Sequence, residues 1–297
     1  MQGLAADGGL FMPDAWPQVD IEKIKTLDSF IDVAKCIVPL FTKSSFSDDE
    51  VLELLDDTWH DFSKENFATI HQLDDTKSIL ELFHGPTAAF KDFGLQLAAA
   101  FFNKSLLKQN KTAIVLGATS GDTGSAAIHA FRGKQDINVF ILHPHNRVSD
   151  VQRRQMTTVQ DDNIFNIAIK GNFDDCQKIV KELFIDDELQ QHTSLTAINS
   201  INWARLMAQV VYYFWAYLQI DEQEINFIVP SGNFGNVFSA NVAKKMGLPI
   251  DQLHITTNQN DILHSSISQG LMKKNVVTQT YSPSTVSYTH LTLPTKA

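Results

Sequence analysis

The sequence predicts an α/β protein with open, mostly parallel sheets, and three observations carry that expectation. Short β-branched runs, TAIVLG (112–117), INVFIL (137–142), IFNIAI (164–169) and INFIVP (225–230), have the length and composition of strands. Amphipathic stretches of helical period lie around them, at 92–104, 123–132, 148–156, 173–184, 201–218 and 236–246. Glycine-rich loops leave two of the strands and lead straight into helices. Parallel sheets of this kind bind ligands at the carboxyl ends of their strands, so those loops are where chemistry is expected.

Before residue 79 the pattern differs. Ile21, Ile24, Leu27, Phe30, Val33 and Ile37 recur at helical spacing, and Ser47 precedes an acidic turn as a good helix start. Residues 1–72 therefore read as a mostly helical N-terminal region, and 73–285 as the catalytic region, with a smaller subdomain at about 92–198. The opening GLAADGGLFMPDAWP reads as the interior of a domain, so we expect the chain to start inside one. Residues 286–295, VSYTHLTLPT, resemble the translation of a sequencing-library transposase adapter, and 286–297 are expected to be a non-native tail.

Composition excludes several function classes. With 297 residues, 43% of them hydrophobic, the chain can bury one large core or two ordinary ones. A formal charge of −10, with no basic block longer than pairs such as Arg153-Arg154, argues against a nucleic-acid partner. Cys36 and Cys176 have neither metal nor redox spacing, which favours a reducing cytoplasm. The histidines are scattered, and HPH at 143–145 lacks a third ligand at recognised spacing, so no metal is expected. No secretory signal opens the chain, and LMAQVVYYFWAYLQI (206–220) is too short for a membrane span.

Three loops and one lysine attract attention. LGATSGDTGSAA follows the run at 112–117: its small residues allow close backbone approach, Thr119, Ser120 and Thr123 offer hydroxyls, and a helix start offers amides for an anion. An ordinary turn capped by Asp122 explains it equally well. VPSGNFGNVFSANVAKKMG repeats the design, and Ser231, Gly232, Asn233, Gly235 and Asn236 suit a phosphate. In NSINWAR, Asn199, Ser200 and Asn202 precede Arg205, a cation suited to phosphate or carboxylate, or else a surface ion pair behind a cap at Asn199 or Ser200. Lys91 stands between Phe90 and Phe93, and apolar surroundings favour the free amine that attacks carbonyls. A nucleophilic lysine with two anion loops suggests a phosphorylated aldehyde held as a Schiff base, which is pyridoxal 5'-phosphate.

ELFHGPTAAFKDFG, ATSGDTGSAA, NSINWAR and VPSGNFGNV, in that order, resemble the threonine synthase family, of the tryptophan-synthase-β-like fold (fold type II). GLAADGGLFMP is similar to that family's N-terminal region. The resemblance covers residues 2 to about 282 and implies a cytoplasmic pyridoxal-phosphate-dependent lyase. Its reaction would convert O-phospho-L-homoserine and water into L-threonine and phosphate, the last step of threonine biosynthesis. By resemblance Lys91 holds the cofactor and moves protons, the loop Gly232, Asn233, Phe234, Gly235 and Asn236 holds its phosphate, and Asp122 faces its ring hydroxyl. Ser120, Thr123, Asn199, Ser200 and Arg205 would receive substrate. The family's chains run on beyond the end of this one, where the partner of the cofactor's pyridine nitrogen is expected. A monomer or homodimer is implied.

Alternatives remain open at this point. A phospho-lyase or dehydratase of the same fold would release a 2-oxo acid instead, although a dehydratase needs no phosphate handle. An inactive phosphate-binding module would use the two loops without chemistry, but would have no need of an amine between phenylalanines.

Overall fold

The computed structural model describes residues 11–63, 67–119, 121–197, 202–270, 278 and 280–282. The N-terminal portion contributes α1 (Ile21–Ile24), α2 (Phe30–Ile37), α3 (Asp48–Asp57), β1 (Thr69–Asp74) and β2 (Lys77–Glu81). The chain continues through α4 (Lys91–Gln109), β3 (Ala113–Ala118), α5 (Asp122–Phe131), β4 (Ile137–Pro144) and α6 (Asp150–Thr157). There follow β5 (Ile164–Ile169), α7 (Phe173–Phe184), α8 (Asp187–His192) and β6 (Ser194–Ala197). The last described portion holds α9 (Trp203–Leu218), β7 (Ile225–Pro230), α10 (Gly235–Lys245), β8 (Ile250–Thr256) and α11 (Ile262–Gln269).

Among the described residues these elements form two compact units, one of residues 58–63, 83–119 and 121–197, the other of 11–57, 67–82, 202–270, 278 and 280–282. The first is built on a wholly parallel sheet of order β5-β4-β3-β6. Successive residues of β3 face opposite ways: Val115 joins a core with Leu95, Ala127, Ile128 and Val139, while Leu116 packs with Leu142 and Cys176. Helices α4 and α5 supply the first core and α7 flanks the second, so the strands are covered on both faces and read as near-continuous apolar runs.

The second unit centres on α9, buried along nearly its whole length. Trp203 at its start meets Phe41 edge-on and Trp16 at a tilt, at centroid separations of 4.9 and 5.5 Å. Parallel β7 and β8 and antiparallel β1 and β2 are its two sheets among the described residues. Gln219, following α9, donates to the Ala68 carbonyl at 2.8 Å and so ties the hairpin to the helix.

The anticipated element bounds are largely met: β5, α7 and β7 have the predicted bounds. Ser47 and Glu50 form reciprocal bonds at the start of α3, with Glu50 N reaching the Ser47 hydroxyl and Ser47 N the Glu50 carboxylate. One reading is corrected. The helical region does not extend to residue 72, because Thr69–Asp74 pairs with Lys77–Glu81 as a hairpin. Both strands are mostly exposed, so no buried stripe marked them in the sequence. The opening residues 1–10 and the tail 286–297 lie outside the described residues.

Candidate active site

Lys91 is the first residue of α4 and is 9% exposed. Its Nζ stands over the Phe90 ring, 4.8 Å from the centroid, and forms an ion pair with the Asp122 carboxylate. Of the two phenylalanines, Phe90 supplies the expected apolar neighbour, while Phe93 packs against Phe62 at a centroid separation of 4.8 Å; the structure adds a counter-charge, Asp122. Asp122 is not the cap of α5. Gly121 holds that position, and Asp122 spends its carboxylate on the lysine.

The loop between β3 and α5 is finished from within. Thr119 Oγ1 accepts from the amides of Gly121 and Gly124 at 3.0 and 2.9 Å, and the Thr119 amide donates to Leu142 O at 2.9 Å. A Cβ at Gly124 would lie 2.4 Å from Thr119 Cγ2, which is why this position is glycine. Gly121 has φ 152, and a Cβ there would strike Gln152 of α6. Thr123 follows in the same helical turn, half-buried; Ser120 lies outside the described residues.

The second loop is left open. Gly232 is buried, Asn233, Phe234, Gly235 and Asn236 are half-buried, and α10 starts without a side-chain cap. The Ser231 hydroxyl is buried and has no hydrogen-bond partner among the described residues. The side-chain carbonyl oxygen of Asn236 accepts from two tyrosines: Tyr213 Oη donates at 2.8 Å, and Tyr212 Oη also donates. Both phenols are deeply buried, which pushes their pKa values up and keeps them donors.

Arg205 is 3% exposed, so a surface ion pair does not describe it. Its helix is capped by Asn202, whose side chain accepts from Ala204 N at 2.9 Å, and not by Asn199 or Ser200. Those two residues lie outside the described ones. The structure therefore brings Lys91 together with Asp122, and Asn236 together with Tyr212 and Tyr213 of α9. It leaves Ser120, Asn199 and Ser200 without a described position.

The sequence reading missed Asp92 and Thr87. Asp92 is fully buried and accepts from Thr87 N at 2.9 Å and Thr87 Oγ1 at 2.6 Å. Burial raises its pKa, against the opposing hydrogen bonds from Thr87. The signal was present in HGPTAAFKD, where an acid follows the lysine on an otherwise apolar helix start.

Among the described residues no three histidine, cysteine or acidic side chains gather to hold a metal, and no helix is long and apolar enough to cross a membrane. Taken separately, each unit holds residues that suit one part of a phosphorylated aldehyde: the first a buried amine for the carbonyl, the second, for the phosphate, an uncapped helix start beside a hydroxyl without a partner among the described residues.

Comparison with known proteins agrees. Residues 79–293 match the pyridoxal-phosphate dependent enzyme family, and the chain belongs to it, with the cofactor that defines it. Within that family its likeness is to threonine synthases. Residues 1–59 match the threonine synthase N terminus. The chain is 46% identical to the threonine synthase of Pseudomonas aeruginosa, over 96% of this chain and 61% of that protein. The solved pyridoxal-phosphate-bound threonine synthase from Brucella melitensis superposes with TM-score 0.90 at 44% identity, covering 96% of this chain and 63% of that one. The yeast enzyme gives 0.89 at 42%, covering 96% and 60%. The chain thus spans about three fifths of the length of these relatives. The tryptophan-synthase-β-like fold expected from the sequence is the one found.

Proposed function

We propose that the protein is a threonine synthase, acting on O-phospho-L-homoserine and water to give L-threonine and phosphate. The observation that carries this is the buried, Asp122-paired amine of Lys91, in a chain whose similarity to threonine synthases spans almost its whole length.

When bound, pyridoxal phosphate supplies an electron sink for carbanions at the carbons near the substrate amine. The rest falls to the chain. Lys91 is the attachment point and, once released by substrate, the base that takes the Cα proton, moves protons at Cβ and returns one at the end. Asp122 keeps the amine oriented while it is idle. The amides of Gly232–Asn236 and the Ser231 hydroxyl hold the cofactor phosphate, and the tyrosines fix the Asn236 end of that loop. Arg205, already desolvated, binds the substrate phosphate and stabilises its charge as it leaves. Ser120, Thr123, Asn199 and Ser200 complete the substrate contacts.

The test is to incubate the protein with pyridoxal phosphate, reduce with borohydride and map the labelled peptide by mass spectrometry. Product analysis with O-phosphohomoserine follows. One label at Lys91 and formation of threonine are expected. Label elsewhere on a folded chain removes the assignment, and 2-oxobutyrate in place of threonine makes the protein a phospho-lyase of the same fold.

A further inference from the structure

We propose that Asp92, gripped by Thr87 and braced by Gln155, is a positioning residue that fixes the Lys91 amine for capture of the aldehyde; this rests on Lys91 being the attachment point. Asp92 is the next residue of the helix, yet it faces away from solvent completely. Its two oxygens take separate bonds from one residue, Oδ2 from Thr87 N at 2.9 Å and Oδ1 from Thr87 Oγ1 at 2.6 Å. Those bonds close a ring over residues 87–92. The backbone between them, including Lys91, cannot shift without breaking a buried charge-assisted hydrogen bond.

Three further features tighten the ring. Gln155 of α6 donates Nε2 to Thr87 O at 2.8 Å, so Thr87 is held through its amide, its hydroxyl and its carbonyl. Ala88 has φ 55, a left-handed conformation that a residue with a Cβ enters only when its surroundings impose it, and its amide is held by Gly85 O at 3.1 Å. Gly85 in turn packs against the carboxylate: a Cβ there would lie 2.5 Å from Asp92 Oδ2. A helix start needs only a cap. A fully buried carboxylate locking a strained segment one residue from the reactive amine does more than cap.

Its effect is on geometry at the reacting atom. Capture is a condensation in which the lone pair of the neutral amine forms the C–N bond and its two protons leave with the aldehyde oxygen as water. Borohydride then delivers the hydride that leaves a stable secondary amine. Rates of such steps fall steeply when the attacking atom is misplaced by an ångström.

The experiment measures the rate of borohydride-trapped label at Lys91 against pyridoxal phosphate concentration, with melting temperature recorded in parallel. Thr87→Val removes the hydroxyl at constant shape. It is expected to lower the maximal capture rate about tenfold while the half-saturating concentration stays close to wild type; the melting temperature falls by several degrees, because one oxygen of the buried Asp92 carboxylate loses its partner. Thr87→Ser restores the rate, and Gln155→Met gives a loss of about threefold by the same reasoning. If Thr87→Val fails to fold, the Gln155→Met rate decides. A wild-type maximal rate in the folded variants overturns the proposal alone, as does a fall of rate and affinity together. A wild-type label on a lysine other than Lys91 overturns the attachment reading and the proposal with it.

Discussion

The loop after β3 and the loop after β7 share one plan, strand to glycine loop to helix, and differ in how their polar groups are satisfied. Thr119 folds back onto the amides of Gly121 and Gly124, so the first loop is complete as a piece of protein. Ser231, at the corresponding place in the second, keeps its hydroxyl buried and unpartnered among the described residues, ahead of a helix with no side-chain cap. A loop that satisfies itself is a fixed wall, and a loop that does not is a receptor. The first loop presents a side chain, Asp122, to the lysine, whereas the second presents backbone.

The largest test of that contrast is Thr119→Val. It keeps the shape and removes the acceptor of two buried amides, at about 1–3 kcal/mol for each group left unpaired. Thermal unfolding should therefore fall by several degrees, at roughly 2–4 °C per kcal/mol for a protein of this size. An unchanged melting temperature would mean that the loop is not held by Thr119 at all.

Next in size is Tyr213→Phe. Its hydroxyl donates to the side-chain oxygen of Asn236 at 2.8 Å and lies 3.2 Å from the Asn236 carbonyl. Losing it costs about 1 kcal/mol, a typical net value for such a bond, and frees the first turn of α10. Weaker affinity for pyridoxal phosphate is expected beyond the stability change, measured by fluorescence titration. The Thr119 variant should show the opposite balance, mostly stability.

The units also differ in their response to pH. Burial lowers the pKa of His143 and His129, both in the unit of the first loop. A lowered value means that the unfolded chain binds the proton more readily. These histidines contribute stability that is present above about pH 6.5, the ordinary histidine value, and is lost as pH falls through their folded values. In the other unit Tyr212 and Tyr213 are raised, so their contribution is present below about pH 10 and is lost only in strong alkali. His143→Gln should reduce the drop in melting temperature between pH 7.5 and 5.5. An undiminished drop would assign the acid sensitivity to other groups.

How much of this was legible in the sequence follows the same division. The central strands announced themselves because burial on both faces makes them near-continuous apolar runs, as in AIVLGA and INVFILHP. The hairpin Thr69–Glu81 did not, since its exposed residues carry no burial pattern. Within the candidate site, Lys91 stood out as a cation among phenylalanines, and the two loops by their glycines. What remained hidden was pairing across sequence distance. Nothing in ATSGDTG says that Asp122 reaches back 31 positions to Lys91, or that Asn236 faces tyrosines on α9. Asp92 was passed over because an acid in the first turn of a helix looks like ordinary dipole compensation, and only its burial distinguishes it.

The smallest stability change is expected at Ser231, and it is the most informative about function. Its hydroxyl makes no hydrogen bond among the described residues, although the residue is only 2% exposed. In the protein alone, Ser231→Ala therefore removes a desolvated polar group that gets nothing in return, and the melting temperature should hold or rise slightly. With phosphate present the sign reverses. A hydroxyl donating to an anion is a charge-assisted bond of about 1.5–3 kcal/mol, so affinity for pyridoxal phosphate should weaken by roughly ten- to a hundredfold. Inorganic phosphate should lose its protective effect on melting in the same variant. If Ser231→Ala instead destabilises the protein without ligand and leaves phosphate affinity intact, the hydroxyl is a structural group like that of Thr119. The two loops would then be alike in finish as well as in plan.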